Sequence, residues 1–130
     1  MKAQDKIEFC KEVGQSLPGV KVYFRDGWDC FYFDLEGKYF AMMGVDEDAY
    51  ITLKNDPDKN EELRQVYSDV IRPGYYTSKK HWNSIDLHAE EITSNMLEQL
   101  IKESYNLVFA TLTKKVREAI LAGQRKEYYV

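Results

Sequence analysis

A chain of 130 residues has the size of one domain with one hydrophobic core, so residues 1–130 are expected to form a single domain. Hydrophobic residues make up 44% of the chain and charged residues 31%, a composition that excludes a disordered or low-complexity protein. The net charge of −4 excludes a generally basic surface, so any polyanionic partner must meet a local patch.

The first half of the chain predicts one helix followed by four strands. Ile7, Cys10 and Val13 recur at helical spacing, which predicts a helix from about Gln4 to Leu17 that Pro18-Gly19 then stops. Four runs rich in aromatic and β-branched residues follow, and they predict strands at residues 19–25, 30–35, 38–45 and 49–55.

The second predicted strand shows how the sheet is covered. Phe31, Phe33 and Leu35 fall on one face of this strand, while Tyr32 and Asp34 fall on the other. This alternation is typical of an antiparallel sheet covered on one side. Glu36-Gly37 predicts a tight hairpin into the third strand, because glycine readily adopts positive φ angles.

The second half of the chain predicts two longer helices around a fifth strand. Asp56 can cap a helix that starts at Pro57 and has Leu63, Val66 and Tyr67 as its apolar side. The predicted fifth strand covers residues 81–87, and the main covering helix runs over residues 93–112. A short helix follows at residues 114–122, which Gly123 can end before a terminal tail. The prediction is therefore an α+β fold with one antiparallel sheet of about five strands and helices packed on one face.

The segment from Arg72 to Leu87 concentrates cations and aromatic rings in an otherwise acidic chain. Its candidate nucleic-acid-binding residues are Arg72, Tyr75, Tyr76, Lys79, Lys80 and His81. Cations there can hold phosphates while the rings stack on a base. The alternative is structural: Trp82 anchors the strand in the core, His81 is hydrogen-bonded at its edge, and the lysines are solvated.

Five short motifs in order show a family resemblance over nearly the whole chain. They are Leu17-Pro18-Gly19-Val20, Ile51-Thr52-Leu53-Lys54 with Asp56-Pro57, Pro73-Gly74-Tyr75, Lys79-Lys80-His81-Trp82-Asn83 and Ser104-Tyr105-Asn106-Leu107-Val108. The sequence resembles the MmcQ/YjbR family of small bacterial proteins. One departure is Thr77-Ser78, where the family pattern has Met-Asn, so the contact made by that asparagine is altered.

The resemblance implies a CyaY-like, double-wing-like fold and a DNA-binding role assigned by fold analogy. We therefore expect a binding module for DNA. The alternative is a module that binds a protein or small ligand on an aromatic sheet face, with Tyr23, Tyr32 and Tyr39 as candidates. Salt distinguishes the two, because DNA binding weakens steeply with added salt and binding of an uncharged ligand does not.

Other classes of function lack their sequence signatures. There is no GxSxG, GxGxxG or P-loop motif, so we expect no enzymatic activity and no cofactor. The acidic residues of 26–29 and 46–48 lack EF-hand spacing, and His81 and His88 form no ligand pair, so we expect no metal site. Cys10 and Cys30 are expected to be buried and reduced. No signal peptide or apolar segment of about 20 residues is present, which predicts a cytoplasmic protein without a membrane partner.

Overall fold

The computed structural model describes residues 1–47, 49–74 and 77–129, with side chains of the last helix described as far as Gly123. Over these residues the chain forms four helices: α1 (Ala3–Ser16), α2 (Pro57–Val66), α3 (Ser94–Phe109) and α4 (Lys114–Tyr129). It also forms six strands: β1 (Val20–Arg25), β2 (Cys30–Leu35), β3 (Lys38–Gly44), β4 (Tyr50–Lys54), β5 (Ile71–Pro73) and β6 (Trp82–Asp86).

The strands form one sheet in the order β1-β2-β3-β4-β6-β5, and each neighbouring pair is antiparallel. This arrangement confirms the predicted α+β fold with a single antiparallel sheet. The sixth strand is β5, which the sequence analysis did not predict. It contains only three residues and includes Pro73, which has no N–H to donate and is tolerated because β5 lies at the edge of the sheet.

The hairpin between β2 and β3 has the predicted tight turn. Glu36 and Gly37 both have positive φ angles, 54° and 82°, as expected for a two-residue turn that matches the twist of the strands. The Asp34 carboxylate accepts a hydrogen bond from the Gly37 N–H at 2.8 Å. The strand register shifts beyond this turn, and the extra residue in β3 is Phe40, whose buried ring meets Tyr105 of α3 edge-on at 5.5 Å.

The hydrophobic core lies between one face of the sheet and helices α1 and α3. In α1, Gly14 lies so close to the Phe33 ring that a Cβ atom there would be 2.5 Å from it. Phe33 therefore points toward the helices, and Tyr32 next to it points to the opposite face, which we call the open face. Cys10 and Cys30 are buried free thiols, which confirms that prediction.

Two helices differ from their predictions. The Asp56 side chain does not cap α2, and Val66 is 66% exposed, whereas Asn60 is buried. Helix α4 continues past Gly123 to Tyr129, because one glycine weakens a helix by only about 1 kcal/mol and good helix formers follow it. None of the described helices is long and apolar enough to cross a membrane.

Candidate ligand-binding surfaces

A tight turn before β6 carries the cations that the sequence singled out. The Ser78 carbonyl accepts hydrogen bonds from the N–H groups of His81 and Trp82, both at 3.1 Å. Residues 79–81, which we call the basic turn, are all exposed. Ser78 contributes to the turn through its main chain, so its side chain is not needed to close it.

Helix α2 and Asn55, the residue after β4, hold the main chain of the basic turn in place. The Asn60 side-chain amide donates to the Lys80 carbonyl at 3.1 Å and to the Asn55 carbonyl at 3.1 Å. Arg64 donates to the Lys79 carbonyl, and the Asn55 N–H donates to the His81 carbonyl at 2.9 Å. Three consecutive carbonyls are thus fixed by hydrogen bonds, so the side chains of the turn extend from an ordered backbone.

Arg64 is a structural cation and not part of the exposed basic surface. Its guanidinium donates to the Asn83 side-chain oxygen at 2.6 Å and to the Trp82 carbonyl at 3.2 Å, and it lies 3.9 Å from the Glu61 carboxylate. Asn83 is buried and donates in turn to the Asn60 carbonyl at 3.3 Å. Sequence reasoning missed this network; the available signal was a pair of asparagines at positions that the helix and the strand bury.

The predicted site residues fall on both sides of the β5–β6 connection. Arg72 is exposed on the edge strand β5, opposite Ser84. Neither Arg72 nor Lys79 nor Lys80 forms an ion pair with any described residue. Trp82 is half-buried beside Gly74 and lies outside the main hydrophobic core, contrary to the core position considered for it.

Two members of the predicted site, Tyr75 and Tyr76, lie outside the described residues. The His81 side chain is exposed, and the hydrogen bonds of His81 to described residues are those of its main chain. The structure therefore brings Arg72, Lys79, Lys80 and His81 to the surface around one strand connection.

The open face carries a row of side chains that crosses the whole sheet. Strand register places one residue of each strand in this row: Tyr23, Tyr32, Met42, Thr52, Ser84 and Arg72. Thr52 and Ser84 are buried and their hydroxyls lie 2.7 Å apart. The row thus begins with aromatic residues at β1 and ends with a cation at β5.

The three tyrosines predicted to share the open face contact one another and Arg25. The Arg25 guanidinium lies 4.9 Å from the centre of the Tyr32 ring and donates to the Tyr39 hydroxyl at 3.2 Å. Tyr23 also donates to the Tyr39 hydroxyl, at 3.3 Å, and chiefly because of this hydrogen bond the pKa of Tyr23 rises to about 12. Tyr23 is therefore neutral at physiological pH, and Arg25 supplies the charge of the cluster.

A groove of about 380 Å³ separates α2 from α3. Its apolar lining comes from Leu63, Val66, Tyr67, Met96 and Leu100. The sequence analysis placed Val66 on the apolar side of this helix, and the groove that this side lines was not predicted. Among the described residues, no group of three or more His, Cys, Asp or Glu side chains is close enough to hold a metal ion.

The architecture places the chain among small α+β proteins with one antiparallel sheet, and comparison with known proteins gives the family. The model of the YjbR family matches residues 15–107, so the chain belongs to the YjbR family. The uncharacterized protein YbdF of Escherichia coli O157:H7 is 35% identical over 127 residues, which cover 95% of this chain and 100% of YbdF. The uncharacterized protein YjbR of Escherichia coli K12 is 25% identical over 122 residues, covering 93% of this chain and 98% of YjbR.

Two solved structures share the fold. Protein DR2400 of Deinococcus radiodurans, described with the family-model domain DUF419, superposes with a TM-score of 0.81 at 28% identity. The match covers 88% of this chain and 86% of DR2400. A protein from Pseudomonas syringae superposes with a TM-score of 0.59 at 21% identity, and the match covers 82% of this chain and 98% of the Pseudomonas syringae chain. This likeness concerns the fold alone.

Proposed function

We propose that this protein is a non-enzymatic binding module that holds the phosphates of DNA with Arg72, Lys79 and Lys80. The observation that carries the proposal is the state of these three cations: all are exposed, and none is neutralised by a described acidic residue. Lys79 and Lys80 also extend from a backbone that α2 already fixes. Less main-chain ordering is then needed on binding, which lowers its entropic cost.

The physical driving force is counterion release. Each cation that neutralises a phosphate of duplex DNA releases a condensed counterion, and this adds about 0.9 to the slope of log affinity against log salt. The net charge of −4 opposes approach of a polyanion, so the local patch must act at short range. Binding is therefore expected at low ionic strength, without base preference, because phosphate contacts position a protein and carry no sequence information.

The aromatic residues next to the cations extend this surface. His81 is exposed in the basic turn, and Trp82 is half-buried where β6 begins. Tyr75 and Tyr76 stand between Arg72 and Lys79 in the sequence. Rings beside cations favour contact with unstacked bases as well as with phosphates. The affinities for a blunt-ended duplex and for a single strand of the same length can therefore be compared.

A salt titration with matched variants tests the proposal. Lys79→Ala with Lys80→Ala should flatten the slope of log affinity against log salt on duplex DNA by about 1.8 and weaken binding to all sequences alike. The control, Lys2→Ala with Lys21→Ala, removes the same two charges from exposed positions elsewhere and should leave the slope near its wild-type value. Equal flattening by both double variants, or no salt-sensitive binding by the wild-type protein, would refute the role of the basic turn.

A second candidate function is binding of a protein or small ligand on the open face. The observation that favours it is the contact among Arg25, Tyr32 and Tyr39, which places a cation on an aromatic floor. This cluster lies at β1, and Arg72 lies at β5, so the two surfaces occupy opposite edges of the sheet. Six strands at about 4.8 Å separation put these edges roughly 24 Å apart, which allows the two functions to be tested separately.

A further inference from the structure

We propose that Arg25 and Tyr39 form a subsite for the carboxylate of a small ligand with a flat apolar body, on the open face beside β1. The inference names a ligand class for the second candidate function and does not depend on DNA binding. It rests on an excess of hydrogen-bond donors over acceptors, on an aromatic floor and on the local charge.

The Tyr39 hydroxyl has a proton with no described acceptor. Its oxygen receives hydrogen bonds from Arg25 at 3.2 Å and from Tyr23 at 3.3 Å. A hydroxyl oxygen has two lone pairs and one O–H donor, so both acceptor positions are taken and the O–H must donate elsewhere. No described residue receives it, which leaves a donor available to a ligand.

Arg25 adds further donors of the same kind. A guanidinium has five N–H donors, and the side-chain hydrogen bond of Arg25 to Tyr39 uses one of them. No described carboxylate forms an ion pair with Arg25. The Asp34 carboxylate on the same face accepts a hydrogen bond from the Gly37 N–H at 2.8 Å and forms no ion pair with Arg25. The described residues therefore leave N–H and O–H donors of this site unused, and a carboxylate ligand can accept from them.

The floor of the site is aromatic and apolar. The Arg25 guanidinium lies over the Tyr32 ring, which is only 6% exposed, and a stacked guanidinium leaves its edge free for a bidentate carboxylate contact. The Tyr23 and Tyr32 rings are nearly parallel, at 19° with centres 6.4 Å apart, and Met42 continues the row on β3. The Tyr32 ring is covered, so a flat apolar body can stack offset on the half-buried Tyr23 ring beside it.

The surrounding charge selects a monoanion over a dianion. Residues 26–48 contain seven acidic residues and one lysine, so the segment that follows Arg25 in the chain carries a net negative charge. One guanidinium can balance one carboxylate, whereas a phosphate dianion would leave a charge unpaired among these acids. This local charge is why the subsite is assigned to carboxylates and not to phosphate esters.

The probe for the experiment is benzoate, compared with neutral benzamide and dianionic phenyl phosphate. Amide chemical shifts of the 15N-labelled protein are followed during each titration. Benzoate should cause saturable shifts in β1, β2 and β3, and benzamide and phenyl phosphate should bind at least about 10-fold more weakly. Equal affinity for benzamide would overturn the inference, because the carboxylate would then contribute nothing, and tighter binding of phenyl phosphate would overturn the selection of a monoanion.

Variants locate the contact. Arg25→Gln should weaken the binding of benzoate about 10- to 100-fold. Arg25→Lys should weaken it less, because lysine keeps the positive charge although it lacks the planar guanidinium. Tyr39→Phe keeps the ring and removes only the donor, so it should weaken benzoate while melting within a few degrees of the wild-type protein. The control Lys102→Gln removes one positive charge from an exposed position in α3 and should leave benzoate binding unchanged. Unchanged binding in both Arg25→Gln and Tyr39→Phe, or an equal loss in Lys102→Gln, would overturn the assignment.

Discussion

Replacement of Asn60 by alanine should destabilise the protein and loosen the basic turn. Asn60 is 1% exposed, and its side-chain amide donates to the carbonyls of Asn55 and Lys80. Each lost hydrogen bond costs about 1 kcal/mol, and a buried carbonyl without a donor adds a further 1–3 kcal/mol or so. The Lys80 carbonyl is only partly buried and can be rehydrated. We therefore expect a loss of about 2–4 kcal/mol in the free energy of unfolding, or roughly 8–15 °C in Tm.

Urea denaturation measures this loss, and a second asparagine provides the control. Asn106 is exposed in α3, so Asn106→Ala makes the same change in helix propensity without breaking a buried contact and should alter stability by at most about 0.5 kcal/mol. Hydrogen exchange supplies an independent readout, because the amides of His81 and Trp82 bond to the Ser78 carbonyl and should exchange faster in Asn60→Ala. Equal stability of the two variants would refute the anchoring role of Asn60.

Three further predictions concern two glycines, a buried thiol and metal dependence. A Cβ atom at Gly74 would lie 2.5 Å from the Thr77 hydroxyl and 2.8 Å from the Trp82 Cβ, so Gly74→Ala should lower the free energy of unfolding by about 1–3 kcal/mol. A Cβ atom at Gly123 would meet nothing within 4 Å, so Gly123→Ala should stabilise α4 by about 0.5–1 kcal/mol. Urea denaturation measures both changes. Burial raises the pKa of Cys10 from 9.0 to about 12, so the unfolded chain loses the thiol proton at a lower pH than the folded chain does. The free energy of unfolding should therefore fall as the pH rises from 9.0 to about 12, and it should fall less steeply in Cys10→Ala. Equal pH dependence of stability in the two proteins would contradict this. EDTA should leave Tm unchanged, and a clear drop would indicate a bound metal.

The strands could be predicted from the sequence because their signals are local. Alternating aromatic and β-branched residues with turn residues between them placed β1 to β4 to within about one residue. The Glu36-Gly37 turn is equally local, since the backbone there needs positive φ angles that glycine adopts readily. Strand β5 has no comparable signal, because three residues that include Pro73 acquire strand geometry only by pairing with β6.

The candidate site was predicted only in part. The cations of the basic turn are visible in the sequence, and loops on a rigid sheet often carry function. The anchors of the turn are not visible, because Asn60 and Lys80 are twenty residues apart and meet only after α2 packs beside β5 and β6. The same packing buries Asn60 and exposes Val66, the reverse of what their hydrophobicity suggests. Polar residues that satisfy carbonyls inside a fold cannot be distinguished from solvated ones by spacing alone.

The most direct test of the proposed function is to locate the DNA-binding surface on the wild-type protein. Amide chemical shifts of the 15N-labelled chain are recorded while a short duplex DNA is added at about 20 mM salt, and again after salt is raised to about 200 mM. The account predicts shifts confined to β5 and the basic turn around Arg72, Lys79 and Lys80, and their reversal at the higher salt concentration. Absence of shifts at low salt, or shifts centred on α4 or on the edge strand β1, would contradict it.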